Sequence, residues 1–216
     1  MKGNNMRKAN NMLITEISVN KNKSNINRIF KNKFKVEIVS RASYTRKKVE
    51  RFIQASYKRH FSAELDSFFP LILSFTRIKD NTIVGAVGLR YADESKLFSE
   101  CYLSEEIDHL ISTEENIVLN RNKIIELGNF VVRKKSDLLD VVPLIGKFIK
   151  SLDVDWVVYT LTQVIKDHFQ EIGLELCFLA DAKIEAVNGA ATHWGKYYEF
   201  KPAVFYTNIK NSMNQA

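Results

Sequence analysis

The stretch Ile124–Ser136, IIELGNFVVRKKS, constrains the chain most. Its β-branched and apolar residues, in rough alternation, read as a strand. One carboxylate, Glu126, sits inside the otherwise apolar run, and the strand closes on three cations, Arg133, Lys134 and Lys135, before Ser136 and a helix. A strand running into cations and a helix N-terminus can hold a phosphate. A carboxylate upstream of it can accept a proton from a nucleophile. The same residues also read as an interior strand with a paired glutamate and a solvated basic turn.

The rest of the chain supplies a sheet around this strand. Phe34–Ser40 alternates as a first strand, and Lys47–Phe61 follows with helical periodicity behind a cap at Ser43 or Thr45. Pro70–Ile78 and Thr82–Tyr91 form a hairpin about Lys79-Asp80-Asn81. Gly85 and Gly88 inside the second arm point to a bulge or a close backbone approach. Leu97–Leu103 is apolar and aromatic, and Ser104 with the acids after it opens a helix. The central strand is Lys123–Val132, followed by a helix from about Asp140 to Leu152 with Pro143 in its first turn. Then come a strand at Trp156–Leu161, a helix from Thr162 to Gly173, a strand at Leu174–Ala180, a short helix near Lys183–Asn188 and a last strand at Val204–Ile209. This order predicts an α/β fold: one domain, residues 34–216, with a mixed central sheet flanked by helices. No GxGxxG or Walker sequence is present.

Charge is informative only once it is located. Residues 1–33 hold eight Lys/Arg against Glu16 alone, so the whole net charge of +7 belongs to that Asn/Lys-rich segment, and the remaining 24 bases and 24 acids cancel. The segment reads as a disordered extension, with a short strand possible at Leu13–Val19. It reads first as a solubilising extension, with contact to an anionic membrane or an acidic partner as the alternative, and makes little case for a nucleic-acid-binding fold. Cys101 and Cys177 lack metal-ligand spacing and read as free thiols in a reducing compartment. No apolar run matches a signal peptide or a membrane span, which makes the expected location cytoplasmic. No metal site is expected. His60, His109, His168 and His193 are scattered and form no Ser-His-Asp pattern. Arg90, closing its strand, can grip a carboxylate or phosphate or make a structural ion pair. Trp194, Tyr197 and Tyr198 can line an apolar ligand channel or pack at the sheet edge.

Four segments, GLR at Gly88–Arg90, LFSECYL at Leu97–Leu103, IIELGNFV at Ile124–Val131 and WGKYYEFKPAV at Trp194–Val204, occur in an order that resembles the thermostable hemolysin family. The resemblance covers roughly Lys48 to Ile209, with His60-Phe61-Ser62-Ala63 departing from an Arg-Phe-Gly-Ala pattern. It implies a GNAT-like acyltransferase fold related to acyl-homoserine-lactone and N-acyl amino acid synthases. The implied reaction moves an acyl group from acyl-carrier protein or acyl-CoA to a small amine such as an amino acid, with the phosphopantetheine thioester as co-substrate and no tightly bound cofactor. The family name alternatively implies a haemolysin acting on membranes directly or through a lipid product. Carried over by position, Phe130, Val131 and Val132 would hold pantetheine and Arg133–Ser136 (with Lys134 and Lys135) the phosphate. Glu126 would orient or deprotonate the amine and Asn129 would help position the substrate or thioester. The residues read for substrate binding are Arg90, for the acceptor's carboxylate, with Trp194, Tyr197 and Tyr198. The loop Arg133–Leu138 lacks the glycines of the usual phosphate loop, which favours a singly phosphorylated carrier-protein arm.

Overall fold

A computed structural model describes residues 33–187 and 191–210 of the protein. The strand expected at Leu13–Val19, and all of the expected N-terminal extension except Lys33, lie outside the described residues.

Seven strands make one mixed sheet: β1 Phe34–Val39, β2 Leu71–Arg77, β3 Thr82–Tyr91, β4 Ile124–Val132, β5 Trp156–Leu161, β6 Cys177–Asp181 and β7 Ala203–Asn208. Their order across the sheet is β1-β2-β3-β4-β5-β7-β6. Every neighbouring pair is antiparallel except β4 and β5. Parallel strands need a crossover, and helix α3 (Lys135–Lys150) supplies it. The other α-helices are α1 (Arg46–Phe61), α2 (Ile107–Glu115) and α4 (Gln163–Glu171).

Both faces of the sheet are covered. On one, Val141, Ile145 and Phe148 of α3 and Phe169 of α4 pack on Phe75, Val87, Leu127 and Tyr159. On the other, Val49, Ile53 and Tyr57 of α1 meet Ile72, Ala86 and Val131, while Ile107 and Ile111 of α2 meet Ile124, Trp156 and Val158. The double cover explains the unbroken burial of Ile83–Leu89 in β3, a pattern that alternation alone does not produce. The hairpin turn falls at the expected place, with Asn81 left-handed at φ 54°.

Three elements depart from expectation. Helix α3 begins at Lys135, not Asp140, which puts Pro143 inside the helix. Leu139, four residues before it, is 71% exposed, so the carbonyl freed by the proline sits on the solvent side of the helix, where the cost is least. Helix α2 starts after Glu106 rather than Ser104. Its first N–H groups are served from elsewhere, since the Ile107 N–H donates to the Glu100 carboxylate at 3.0 Å. Thr45 stands at the start of α1 but caps nothing, because its hydroxyl donates to Glu37 at 2.6 Å.

Candidate active site

The parallel ladder between β4 and β5 covers only Ile124–Leu127 and Trp156–Tyr159. Beyond it, β4 continues beside β3 to Val132 and β5 continues beside β7 to Leu161. The strands therefore part, and a cavity of about 450 Å³ lies between them, lined by Gly128, Asn129 and Phe130 on one side and Thr160 and Leu161 on the other.

The parting is set by a bulge in β4. Gly88 pairs with Gly128, but Ala86 pairs with Val131, so Asn129 and Phe130 together oppose Val87. Asn129 occupies the left-handed region at φ 47°, which asparagine tolerates better than most residues. Its Oδ1 accepts the Phe69 N–H at 3.2 Å. Past the bulge, the Arg133 N–H donates to the Val84 carbonyl. Strand alternation there turns the Val131 amide toward β3 and that of Val132 away from it. From Gly128 onward β4 has no ladder pairing with β5.

The glycines have a clear purpose. A Cβ on Gly128 would lie 2.3 Å from Phe69 Cζ, and one on Gly88 would lie 2.6 Å from Phe69 Cβ. Phe69 thus rests on a floor of bare backbone. Its carbonyl accepts Arg46 at 2.7 Å, and the Arg90 guanidinium sits 4.7 Å from its ring centroid. Arg90 also donates to the Lys96 carbonyl at 3.2 Å.

Glu126 lies outside the cavity lining. It is 1% exposed, and its oxygens accept the N–H groups of Ser99 and Phe98 at 2.6 and 2.9 Å. Burial raises its pKa, opposed by those two N–H groups and by nearby Arg90. Its visible action is to hold the turn Ser99–Cys101 to the sheet. That turn carries Phe98, 5.7 Å from the Trp194 ring, and Tyr102, whose hydroxyl meets that of Tyr198 at 2.7 Å.

The basic residues separate. The Arg133 Nε donates to the Ile83 carbonyl at 2.8 Å, and its guanidinium stacks on Phe52 of α1, on the face opposite α3. Lys134 is the N-cap residue of α3. Lys135 and Ser136 line the cavity at the helix N-terminus. Of the aromatic trio, Tyr197 lines the cavity beside Tyr57 and Phe61. Trp194 and Tyr198 pack behind it, at 5.2 and 5.3 Å between ring centroids. Burial pushes the Tyr57, Tyr159 and Tyr197 hydroxyls well above their ordinary pKa.

Two residues at the site were not singled out from the sequence. Phe69 lies in Ser62–Pro70, a stretch with no period to read, and only the glycines opposite it were a signal. Thr160 was placed on a strand but given no role. The residue lines the cavity, while its Oγ1 is buried and has no hydrogen-bond partner among the described residues.

The family model for thermostable hemolysin matches residues 39–213. The chain belongs to the thermostable hemolysin family. No curated protein sequence matches it. Among solved structures it is similar to FeeM, an N-acyl amino acid synthase from uncultured soil microbes, at TM-score 0.58 and 10% identity over 86% of this chain and 96% of that one. It is also similar to the acyl-homoserine-lactone synthase LasI, at TM-score 0.56 and 11% identity over 84% and 92%. The CoA-dependent acyl-homoserine lactone synthase MesI matches at TM-score 0.52 and 16% identity over 82% and 90%. This thermostable hemolysin family member thus shares its fold with these N-acyl amino acid and acyl-homoserine-lactone synthases, the fold that the sequence resemblance implied.

Proposed function

We propose that this protein is an N-acyltransferase that moves an acyl group from a pantetheine thioester, on acyl-carrier protein or CoA, to a small amine. The observation that carries the reading is the parting of β4 from β5, which leaves the β4 edge at Gly128–Phe130 without β5 as a ladder partner and lining a mainly apolar cavity. An extended pantetheine arm has amides of its own and can pair with such a strand edge as a missing strand would. Lys135 and the α3 N-terminus at the rim suit a phosphate.

In this reading the amine nitrogen attacks the thioester carbonyl, and the Phe130 N–H stabilises the oxyanion that forms. The C–S bond then breaks as the amide forms. The nitrogen loses one proton and the departing sulfur gains one, so the overall reaction conserves protons. Glu126 acts as a positioning residue that holds the Phe98–Tyr102 wall, and Asn129 holds the bulge. Arg90, stacked on Phe69, is the candidate contact for an acceptor carboxylate.

Haemolysis, the property in the family's name, is read as an effect of an amphiphilic acylated product. Among the described residues no helix is long and apolar enough to cross a membrane. The test is thiol release from acyl-CoA and from acyl-carrier protein with a broad panel of amines. Amine-dependent release is expected. Absence of release with both donors, or dye release from vesicles by the protein alone, would defeat the reading.

A further inference from the structure

Helix α1 and the loop before it carry a charge balance unlike the rest of the fold. Residues 41–60 hold seven Lys/Arg against one acid, Glu50, whereas residues 61–216 hold 16 bases and 22 acids. The cations are also sorted by face. At 3.6 residues per turn, Lys47, Lys48, Arg51, Lys58 and Arg59 fall within an arc of about 120°, and all five are exposed. Between them on that face stand only Gln54 and Ala55, exposed as well. The opposite side of the helix, with Val49, Ile53 and Tyr57, packs on the sheet.

Little neutralises this outer face. Glu50 is occupied by the buried Arg46, whose Nε donates to it at 2.6 Å. Lys58 meets Glu64 in an exposed pair at 3.3 Å. Among the described residues, Lys47, Lys48, Arg51, Arg59 and the exposed Arg41 of the preceding loop make no ion pair. The arrangement works against the helix itself. Lys47 and Lys48 stand in a first turn that holds no acid, where the positive end of the helix dipole repels them. Arg51 lies four residues from Lys47 and three from Lys48, the spacings at which like charges repel. Charges placed for solubility alone would mix signs. A single-sign face kept at a cost to its own helix points to an anionic partner.

The two ends of the face indicate which one. Tyr44, in the loop just before α1, is fully exposed. At the other end Phe200, also exposed, packs edge-on against Phe61, the last residue of α1, with ring centroids 5.3 Å apart. Aromatic rings beside a basic helix suit a membrane interface, where rings settle among the headgroups and cations meet phosphates. An acidic protein or a duplex would use the cations but gives those rings no apolar layer to enter. Ala55 is the largest apolar side chain on the outer face, so the helix rests on headgroups and does not sink among acyl chains.

We propose that the outer face of α1, together with Tyr44, docks the protein on an anionic membrane surface. The same helix walls the cavity through Tyr57 and Phe61, so docking places the cavity about one helix diameter, roughly 10 Å, from the headgroups. The proposal does not draw on the acyltransferase reading.

The test is flotation of the full-length protein with vesicles, in the absence of thioester and amine. Vesicles of phosphatidylcholine alone are compared with vesicles that also contain phosphatidylglycerol. Binding is expected on the anionic vesicles only, weakening as salt rises, and with the vesicle contents still enclosed. A basic residue near such a surface strengthens binding about fivefold, so Lys47→Gln, Lys48→Gln and Arg51→Gln together are expected to weaken it roughly a hundredfold. The same triple variant is expected to melt at a higher temperature than the wild type, because the repulsion within α1 is relieved. That separates loss of binding from loss of fold. Tyr44→Ala, which changes no charge, is expected to weaken binding severalfold. Every variant keeps residues 1–33, so the differences report on α1 and its loop. Equal binding by wild type and triple variant, or equal binding to neutral and anionic vesicles, would overturn the assignment. So would a protein that ignores vesicles but binds polyglutamate or duplex DNA through the same three residues. Leakage of vesicle contents would overturn docking in favour of insertion.

Discussion

Replacing Glu126 with glutamine separates a base from a brace. The carboxylate accepts two backbone N–H groups, from Ser99 at 2.6 Å and Phe98 at 2.9 Å, with the side chain 1% exposed. Glutamine offers one oxygen and one NH2 group, so one of those N–H groups must face another donor. Losing a hydrogen bond to a charged group costs about 1.5–3 kcal/mol. Against this, glutamine removes a charge whose burial is itself unfavourable, as the raised pKa of Glu126 shows. The net expectation is a loss of about 1–3 kcal/mol, or roughly 5 °C in Tm for a chain of this size. The assay pairs thermal unfolding by circular dichroism with steady-state thiol release. A brace predicts a lower Tm, a raised KM for the amine as Phe98 and Tyr102 shift, and a kcat reduced less than about tenfold. Removing a general base costs about 10²–10⁴ in rate, on top of any fall in Tm. An unchanged Tm with a loss of kcat beyond a hundredfold, together with a changed pH profile, would refute the positioning role.

The remaining predictions concern the walls of the site. Gly128→Ala should cost about 1–3 kcal/mol by overpacking, because its Cβ would fall 2.3 Å from Phe69 Cζ. In a double-mutant cycle with Phe69→Ala the two losses should be less than additive by at least about 1 kcal/mol, and simple additivity in urea unfolding would exclude the contact. Asn129→Ala should be worse than Asn129→Gly by about 1 kcal/mol, since both lose the bond to Phe69 but only glycine keeps φ 47° without strain. Equal melting temperatures would contradict this.

For Glu100, burial alone would raise the pKa, but the Arg121 guanidinium and the Ile107 and Leu97 N–H groups outweigh it and hold the carboxyl below its ordinary value. A depressed pKa gives stability that is present above the unfolded-state value of about 4.3 and lost as pH falls through the folded one. Glu100→Gln should therefore lower stability at pH 7 and flatten its decline below about pH 4.5. A decline as steep as the wild type's would show that other groups carry it.

Much of the architecture was legible because long periodic segments state their own class. Among the described residues the seven strands and four α-helices fall near their expected places, the short helix expected near Lys183–Asn188 is only a 3-10 turn at Ile184–Ala186, and the Thr82–Tyr91 arm with its two glycines announced a close approach. What stayed hidden depends on contacts between distant segments. Leu138 and Leu139 could be read as loop only because Pro143 suggested a later helix start, and the exposed side of α3 tolerates that proline. Glu126 was identified as the important acid, but periodicity cannot show that its partners are two amides 27 and 28 residues away. The Arg133–Lys135 cluster looked uniform in sequence, yet its members point to different faces because the strand ends and the helix begins within it. Phe69, in an aperiodic segment, gave no signal of its own.

The most direct test of the central claim is mass spectrometry of a single reaction. Purified protein is incubated with isotopically labelled hexadecanoyl thioester, on CoA or on carrier protein, and a mixture of amino acids and simple amines. The account predicts one new species carrying the labelled acyl group in amide linkage to an amine, formed in equimolar amount with free thiol. Labelled thioester that stays intact with both carriers, or that yields only free fatty acid, would contradict it.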